Sequence, residues 1–150
     1  MQNPLISILL ASYNEQSYIA DSIRSIQNQT LENWELIIID DCSSDETVKI
    51  IKNFLKIDNR IKLIINKKNL GLAASLNIAL RNAKADYIAR ADADDINLRE
   101  RLQKQYDYLI NNQNIDIVGT GAWLLNREGK RVKNISLPST NHQLKKLNFL

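Results

Sequence analysis

The chain has 150 residues, of which 44% are hydrophobic and 25% are charged, and its formal net charge is +3. This composition is typical of one soluble globular domain over residues 1–150, long enough to bury a substantial core. The mild charge, with basic and acidic residues interleaved, does not require a nucleic-acid partner. The apolar runs are strand-sized and the start of the chain lacks an export pattern, so no membrane span or secretion signal is predicted. With Cys42 as its single cysteine, the expected compartment is a reducing cytoplasm.

Strands and helices alternate along most of the chain. Short apolar runs predict strands covered on both faces, and apolar residues that recur every three or four positions predict helices. Ser43 or Ser44 is expected to cap the second helix, with Asp45 and Glu46 in its acidic first turn. This alternation favours βαβ units and a mostly parallel central sheet flanked by helices. The predicted strands cover residues 5–11, 35–39, 61–65 and 85–91, and the predicted helices cover residues 19–28, 45–55, 72–83 and 98–112.

The last third of the chain predicts smaller elements. Further strands are expected at 115–118 and 122–125, followed by a turn at 126–129, a return strand near 130–135 and a short helix after Pro138. From Arg127 to Leu150 there are six basic residues and one acidic residue. These charges are interpreted either as a solvated hairpin and helix face or as a weak attraction to anionic lipid headgroups at a membrane surface.

The stretch from Tyr87 to Ile96 combines a predicted buried strand with carboxylates at its end. In an extended backbone, residues i and i+2 point to the same side, so Asp92 and Asp94 can aim at one point just past the strand. Two carboxylates at one point suit Mg²⁺ or Mn²⁺, which also bind phosphate oxygens. The sequence therefore predicts a metal-bound diphosphate here, and the alternative is a solvated acidic loop.

Right-handed crossovers are expected to bring three strand-end loops, 11–15, 40–44 and 92–95, to one rim of the sheet. The first loop lacks the Gly-x-Gly-x-x-Gly turn, and no Gly-x-x-x-x-Gly-Lys-Ser/Thr loop exists, so a metal must supply the positive charge for a diphosphate. Tyr13 offers an aromatic face for a base, and Asp41 a carboxylate that can accept a base N–H. Each residue alone is more often structural, but together they favour a nucleotide site.

Four ordered segments of the chain form a family pattern. They are Ser-Ile-Leu-Leu-Ala-Ser-Tyr-Asn-Glu (7–15), Glu-Leu-Ile-Ile-Ile-Asp-Asp-Cys-Ser-Ser-Asp (35–45), Asn-Leu-Gly-Leu-Ala (69–73) and Arg-Ala-Asp-Ala-Asp-Asp-Ile (90–96). Together they resemble glycosyltransferase family two, whose members have the Rossmann-like GT-A fold. The resemblance implies a nucleotide-diphosphate-sugar donor with a uridine nucleotide favoured, a divalent metal (Mg²⁺ or Mn²⁺), and inversion at the anomeric carbon. It also implies a saccharide or lipid-linked saccharide acceptor whose hydroxyl receives the sugar, in the synthesis of surface polysaccharide.

The resemblance also implies roles for nucleoside-binding residues. Ala11 and Tyr13 would contact the nucleoside, with the tyrosine ring lying along the base. Glu15 stands where the family often has an acid near the ribose. Asp41 matches the acid that hydrogen-bonds the base.

The acidic segment matches the family's metal-binding residues. Asp92 would face the ribose or a metal-bound water, and Asp94 would ligate the metal that bridges the diphosphate. Asp95 would orient the loop, and Asn69 and Gly71 match a third loop of the family.

The family pattern continues past the last residue into an acceptor-binding segment, so the chain resembles the donor-binding half of a longer enzyme. The family's general base follows the acidic segment, but Asp107, Asp116 and Glu128 do not match it. A non-catalytic nucleotide-sugar-binding module is therefore the alternative function. A phosphoacceptor receiver domain is disfavoured, because its acid pair follows the first strand and here the pair follows the second.

Overall fold

The computed structural model describes residues 3–126 and 128–136. Strands and helices alternate through the first four units, as the sequence predicts. The predicted turn at 126–129 joins two strands, and Asn126 accepts hydrogen bonds there from the backbone N–H groups of Glu128 and Lys130. The elements are β1 (Ile6–Ser12), α1 (Ile19–Gln27), β2 (Trp34–Asp40), α2 (Thr47–Leu55), β3 (Ile61–Ile65), α3 (Leu72–Arg81), β4 (Tyr87–Asp92), α4 (Arg101–Asn111), β5 (Ala122–Leu125) and β6 (Arg131–Ile135).

The first four strands form one parallel sheet with the order β3-β2-β1-β4. The chain moves outward from β1 to β2 and β3, then returns to pair β4 with the opposite side of β1. The strand order therefore reverses between β1 and β4, and in open α/β sheets such a reversal creates a ligand crevice at the carboxyl ends of the strands. The expected α/β architecture, with a parallel central sheet flanked by helices, is confirmed.

The sheet is covered on both faces. On one face, alternate residues of β1 and β2, such as Leu10 and Ile38, pack with Ile23 of α1 and Ile51 of α2. On the other face, Leu9, Ile37 and Ile39 pack with Ala79 of α3. Every residue of β2 is buried, as expected for a strand with a neighbour on each side and helices on each face.

A polar cluster fixes the amino ends of the central strands. Ser7 donates a hydrogen bond of 2.6 Å to the Glu35 carboxylate, which also accepts one from the backbone N–H of Lys84 at 2.7 Å. The backbone N–H of Ala85 donates to the Ser7 hydroxyl at 3.0 Å. These contacts attach the segment before β4 to β1 and β2, and thereby help to set the register that the opposite rim depends on.

Two predictions about local structure are wrong. Residues 115–118 form no strand, because none of the strands in the described part of the chain pairs with them, and Ile117 is 88% exposed. Neither Ser43 nor Ser44 caps α2, which begins later, after Glu46, so Asp45 and Glu46 precede its first turn instead of lying in it. Both serines contact Asn14 instead, so a contact between loops replaced the predicted cap.

The chain divides into two compact units between Tyr106 and Asp107. The single domain over residues 1–150 stays a prediction. The predicted helix after Pro138 and most of the basic C-terminal residues lie outside the described residues. Among residues 3–126 and 128–136, no helix has the length and apolar character needed to cross a membrane.

Replacing Ile38 tests the central core. Ile38 is fully buried, so Ile38→Ala removes buried methyl groups and leaves a cavity. We expect a loss of about 2–5 kcal/mol in the free energy of unfolding, measured by urea denaturation. The control Ile57→Ala alters a side chain that is 77% exposed and should change stability by less than about 0.5 kcal/mol. Equal losses in the two variants would contradict the described core.

Candidate functional site

The register of β1 brings the predicted site residues to one rim. Ala11 of β1 lies opposite Ile39 of β2 on one side and Asp92 of β4 on the other. The loop after β1 carries Tyr13 and the loop after β2 begins with Asp41. All three strand-end loops therefore leave the same edge of the sheet, at the reversal between β1 and β4.

The first two loops are joined by hydrogen bonds between backbone and side chains. The Asn14 N–H donates to the Ser43 hydroxyl at 2.9 Å, and the Ser44 N–H donates to the Asn14 side chain at 2.8 Å. The Glu15 N–H donates to the Thr47 hydroxyl at 2.8 Å, at the start of α2. These bonds fix the backbone directly after Tyr13, a residue that is itself 48% exposed. An exposed ring on a fixed backbone is suited to stacking against a base.

Each of these joined loops contains a residue in the left-handed backbone region. Asn14 has φ +57° and Cys42 has φ +69°. Asparagine adopts this conformation more readily than most residues, whereas cysteine has no such preference. Such conformations persist where the surrounding contacts enforce them, and they concentrate at functional sites. The loop contacts around Asn14 supply that constraint.

Asp41 holds in place the family's third loop, which joins β3 to α3 over residues 66–71 and contains Asn69 and Gly71. Its buried carboxylate accepts hydrogen bonds from Asn66 Nδ2 at 2.7 Å and from the backbone N–H groups of Leu70 at 2.9 Å and Gly71 at 2.7 Å. Gly71 has φ +84° and directly precedes α3, so the carboxylate also lies at the positive end of the α3 dipole. Burial raises the pKa of Asp41, but these hydrogen bonds outweigh it and lower the pKa below the ordinary 3.8.

The acidic segment is a turn rather than a continued strand. β4 ends at Asp92, and the Asp95 N–H donates to the Asp92 carbonyl at 3.3 Å, so Asp94 lies in the turn between them. The prediction that Asp92 and Asp94 share an extended backbone is therefore wrong. Asp94 is exposed, and the Asp92 carboxylate pairs with the Arg90 guanidinium at 2.8 Å.

Negative charge nevertheless accumulates at this rim. The pKa of Asp95 is raised by burial and then by the charges of Asp92 and Asp94, and these effects outweigh the lowering by Arg101 and Arg90. The pKa of Glu15, on the first loop, is raised by burial and then by the charges of Asp94 and Asp45. Glu15 is thus close enough to Asp94 and to Asp45, just after the second loop, for their carboxylates to repel one another. A cation would relieve that repulsion.

The donor set fits a metal shared with a phosphate ligand. Within residues 3–126 and 128–136, no group of three or more histidine, cysteine, aspartate or glutamate side chains is placed to hold a metal ion. Mg²⁺ is commonly held by only one or two carboxylates, with the substrate phosphates and water completing its shell. Asp92 and Asp94 supply oxygen donors of this kind, so the chain suits a metal that binds together with a diphosphate.

Sequence reasoning missed the residues that hold the site together. Asn66 and Thr47 are buried polar residues that bond to Asp41 and to the first loop. Ser22 of α1 donates to the Asp92 carbonyl at 2.9 Å. The available signal for Ser22 was a hydroxyl within the apolar face of a helix, next to Ile23 and Ile26.

Acidification tests the role of Asp41. The pKa of Asp41 is lower in the folded chain than in the unfolded chain, where it is about 3.8. The ionised carboxylate therefore stabilises the fold fully at pH values above about 3.8. This stabilisation is lost as the pH falls through the pKa of the folded state. Asp41→Asn lacks this contribution. Near neutral pH, we expect Asp41→Asn to lower the free energy of unfolding by about 1–3 kcal/mol. Urea denaturation over a pH series should show the difference from wild type shrinking in acid.

The matched control is Asp86→Asn, at an exposed position just before β4. It should change stability by less than about 0.5 kcal/mol at any pH in the series. A difference between wild type and Asp41→Asn that is independent of pH would contradict the charged hydrogen-bond network.

Sequence comparison gives this geometry a family context. A sequence model described as Glycosyl transferase family 2 matches residues 7–148. The O-antigen biosynthesis glycosyltransferase WbnJ of Escherichia coli is 40% identical over 149 residues, covering 97% of this chain and 57% of that protein. An uncharacterized glycosyltransferase of Methanocaldococcus jannaschii is 41% identical over 135 residues, covering 89% of this chain and 47% of that protein. The chain spans about half the length of the curated relatives it matches.

Solved structures share the fold. S. aureus TarS 1-349 in complex with UDP-GlcNAc aligns with a TM-score of 0.66 and 25% identity, over 72% of this chain and 32% of the TarS 1-349 chain. The mannosyltransferase PcManGT of Pyrobaculum calidifontis, solved with GDP-Man and Mn²⁺, aligns with a TM-score of 0.66 and 24% identity, over 73% of this chain and 33% of that protein. The match of the family model over residues 7–148 shows that this chain, with its shared fold, belongs to glycosyl transferase family 2.

Proposed function

We propose that this chain binds the nucleotide-diphosphate-sugar donor of a glycosyltransferase at the rim formed by loops 11–15, 40–44 and 92–95. The observation that carries the proposal is the pairing of Ala11 with Asp92 where the strand order reverses. Tyr13 follows β1 and the acidic turn follows the neighbouring β4, so the pairing supports a site with the exposed Tyr13 on one side and the carboxylates on the other. A nucleotide whose base lies on the first side can extend its diphosphate to the second.

Uridine is the proposed nucleoside, with Ala11 and Tyr13 along the base and Glu15 near the ribose. TarS, which matches the chain at 25% identity, was solved with UDP-GlcNAc. The proposed contact of Asp41 with the base is constrained by the structure, because three hydrogen bonds from the third loop already engage its carboxylate. Asp41 therefore has at most one lone pair left for a base N–H.

A divalent metal, Mg²⁺ or Mn²⁺, is proposed at Asp94 with Asp92 beside it. When bound, such a metal neutralises the charge that develops on the departing nucleoside diphosphate. Asp94 is exposed and available to a ligand. Arg90 pairs with Asp92 and so limits the repulsion between Asp92 and Asp94 until a cation is present.

The proposed reaction transfers the sugar with inversion to a hydroxyl of a saccharide or a lipid-linked saccharide. Membership of the family supports the transfer, and the O-antigen relative WbnJ supports a role in building surface polysaccharide. Cytoplasmic localisation with weak peripheral association at the membrane is part of the proposal. Lys130, Arg131 and Lys133 are the described members of the basic stretch that would supply that association.

Metal-dependent binding of UDP tests the proposal. Isothermal titration calorimetry of the wild-type chain should show UDP binding that strengthens when Mn²⁺ is added. Asp94→Asn removes a metal-binding charge. In this variant, the increase in UDP affinity on adding Mn²⁺ should be smaller than in wild type by a factor of at least about ten. Asp86→Asn is the matched control, because it makes the same substitution just before the opposite end of β4, and it should bind as wild type does.

The outcomes separate the candidate functions. An unchanged metal-dependent gain in Asp94→Asn would remove Asp94 from the site, and no UDP binding by the wild type would overturn the proposal. Donor binding without sugar transfer or donor hydrolysis, measured on the full-length protein, would favour the non-catalytic nucleotide-sugar-binding module.

A further inference from the structure

The segment that joins β4 to α4 has little secondary structure of its own. Residues 93–100 lie between β4 and α4 and contain only turns and irregular backbone. Irregular backbone needs partners for its N–H and C=O groups where it is shielded from water. In this segment several of those partners are side chains of α1.

Three polar side chains of α1 and its C-terminal end face the segment at intervals of three and four residues. Ser22, Ser25 and Gln29 are 1%, 8% and 5% exposed, respectively. The spacing of Ser22 and Ser25 places both on one side of α1, beside the apolar residues Ile23 and Ile26. Gln29 follows two residues after the last residue of the helix. Buried polar side chains within an apolar face require hydrogen-bond partners, and the segment between β4 and α4 and its flanking residues provide them.

Ser22 contacts Asp92, the residue directly before this segment. Its hydroxyl donates to the Asp92 carbonyl at 2.9 Å. The same carbonyl closes the acidic turn by accepting the Asp95 N–H at 3.3 Å, which is a longer bond. Ser22 therefore contacts the backbone atom from which the turn containing Asp94 departs.

Ser25 and Gln29 hold the rest of the segment. The Ser25 hydroxyl accepts hydrogen bonds from the backbone N–H and the side-chain amide of Asn97, at 2.9 and 3.0 Å. Gln29 donates to the Leu98 carbonyl at 2.9 Å and accepts from the Leu102 N–H, in the first turn of α4, at 3.0 Å. All these bonds to the segment involve its backbone or Asn97, so they leave the aspartate side chains available to a ligand.

We propose that Ser22, Ser25 and Gln29 are positioning residues that set the acidic turn for the metal and diphosphate, with Ser22 the most direct of the three. This inference rests on the proposed function. It goes further by assigning the alignment of Asp92 and Asp94 to α1, which follows the nucleoside-binding loop. A contact from α1 to the acidic turn also links the base side of the crevice to its metal side.

The test compares Ser22→Ala with Ser22→Thr and Ile26→Val in the 150-residue chain. Ser22→Ala removes the hydroxyl, Ser22→Thr keeps it, and Ile26→Val weakens the same helix face without touching a polar contact. Mn²⁺ binding in the presence of UDP is measured from the electron paramagnetic resonance signal of free Mn²⁺, and thermal unfolding is measured for each variant. We expect Ser22→Ala to lose roughly tenfold in Mn²⁺ affinity, as for other residues that orient metal ligands. Ser22→Thr and Ile26→Val should bind close to the wild-type level.

Hydrogen exchange supplies a second readout that does not need a ligand. In Ser22→Ala, the amides of Asp95 and Asn97 should exchange faster than in Ile26→Val, while the amides of β2 stay protected in both variants. Equal exchange of Asp95 and Asn97 in the two variants would overturn the positioning role.

Failure of the inference is distinguishable from failure of the proposed function. If the wild type binds UDP with Mn²⁺ and Ser22→Ala binds equally well, only the inference is overturned. If the wild type shows no such binding, the proposed function is overturned, and the exchange of Asp95 and Asn97 decides whether Ser22 orders the turn.

Discussion

The parallel pairing of β1 with both β2 and β4 is the constraint on which the rest of the structure depends. Because β1 has neighbours on both sides and the chain leaves it in one direction before returning on the other, the loops after β1 and β4 diverge at the rim. The register then pairs Ala11 with Asp92, and the proposed nucleotide site is based on that pairing. At the opposite end, the Ser7–Glu35 cluster holds the segment before β4 and so helps to maintain the same alignment.

Buried and exposed polar groups have different roles at the rim. Asp41, Thr47 and Ser22 are buried and bond mainly to backbone groups of neighbouring loops. Tyr13 and Asp94 are exposed, and their side chains remain available to a ligand. Fixed loops that present a few available side chains match the general requirement that a binding site be ordered before its ligand arrives. The repulsion among the carboxylates of the acidic turn and Glu15 is consistent with a site completed by a cation.

The fold could be predicted from the sequence because its signals are local. Apolar runs and helical spacing are properties of neighbouring residues, and they gave all four strands of the sheet and the helices between them. The predicted strand at 115–118 failed because a strand depends on a partner, which local pattern does not reveal. The predicted caps at Ser43 and Ser44 were wrong for a related reason, since both serines form hydrogen bonds with Asn14, about thirty positions away in the sequence.

The site was predicted as a set of residues but not as an arrangement. The order of strands and loops placed Tyr13, Asp41 and Asp94 on one rim, yet it could not show that Asp41 holds the third loop or that Asp94 lies in a turn. Those facts depend on bonds to Asn66 and Gly71 and on the Asp95 N–H. The role of Ser22 could not be predicted, because helical periodicity identifies the buried isoleucines around it but not the hydrogen-bond partner of a hydroxyl among them.

Paramagnetic broadening of amide NMR signals by Mn²⁺, with and without UDP, tests the central claim most directly. If the rim binds a metal and a diphosphate together, signals of residues 93–95 should broaden most and those of 13–15 less, and both effects should increase when UDP is present. Lys84, roughly 20 Å away at the amino end of the strands, should be the least affected of these residues. Broadening centred away from the acidic turn, or broadening there that UDP does not increase, would contradict the account.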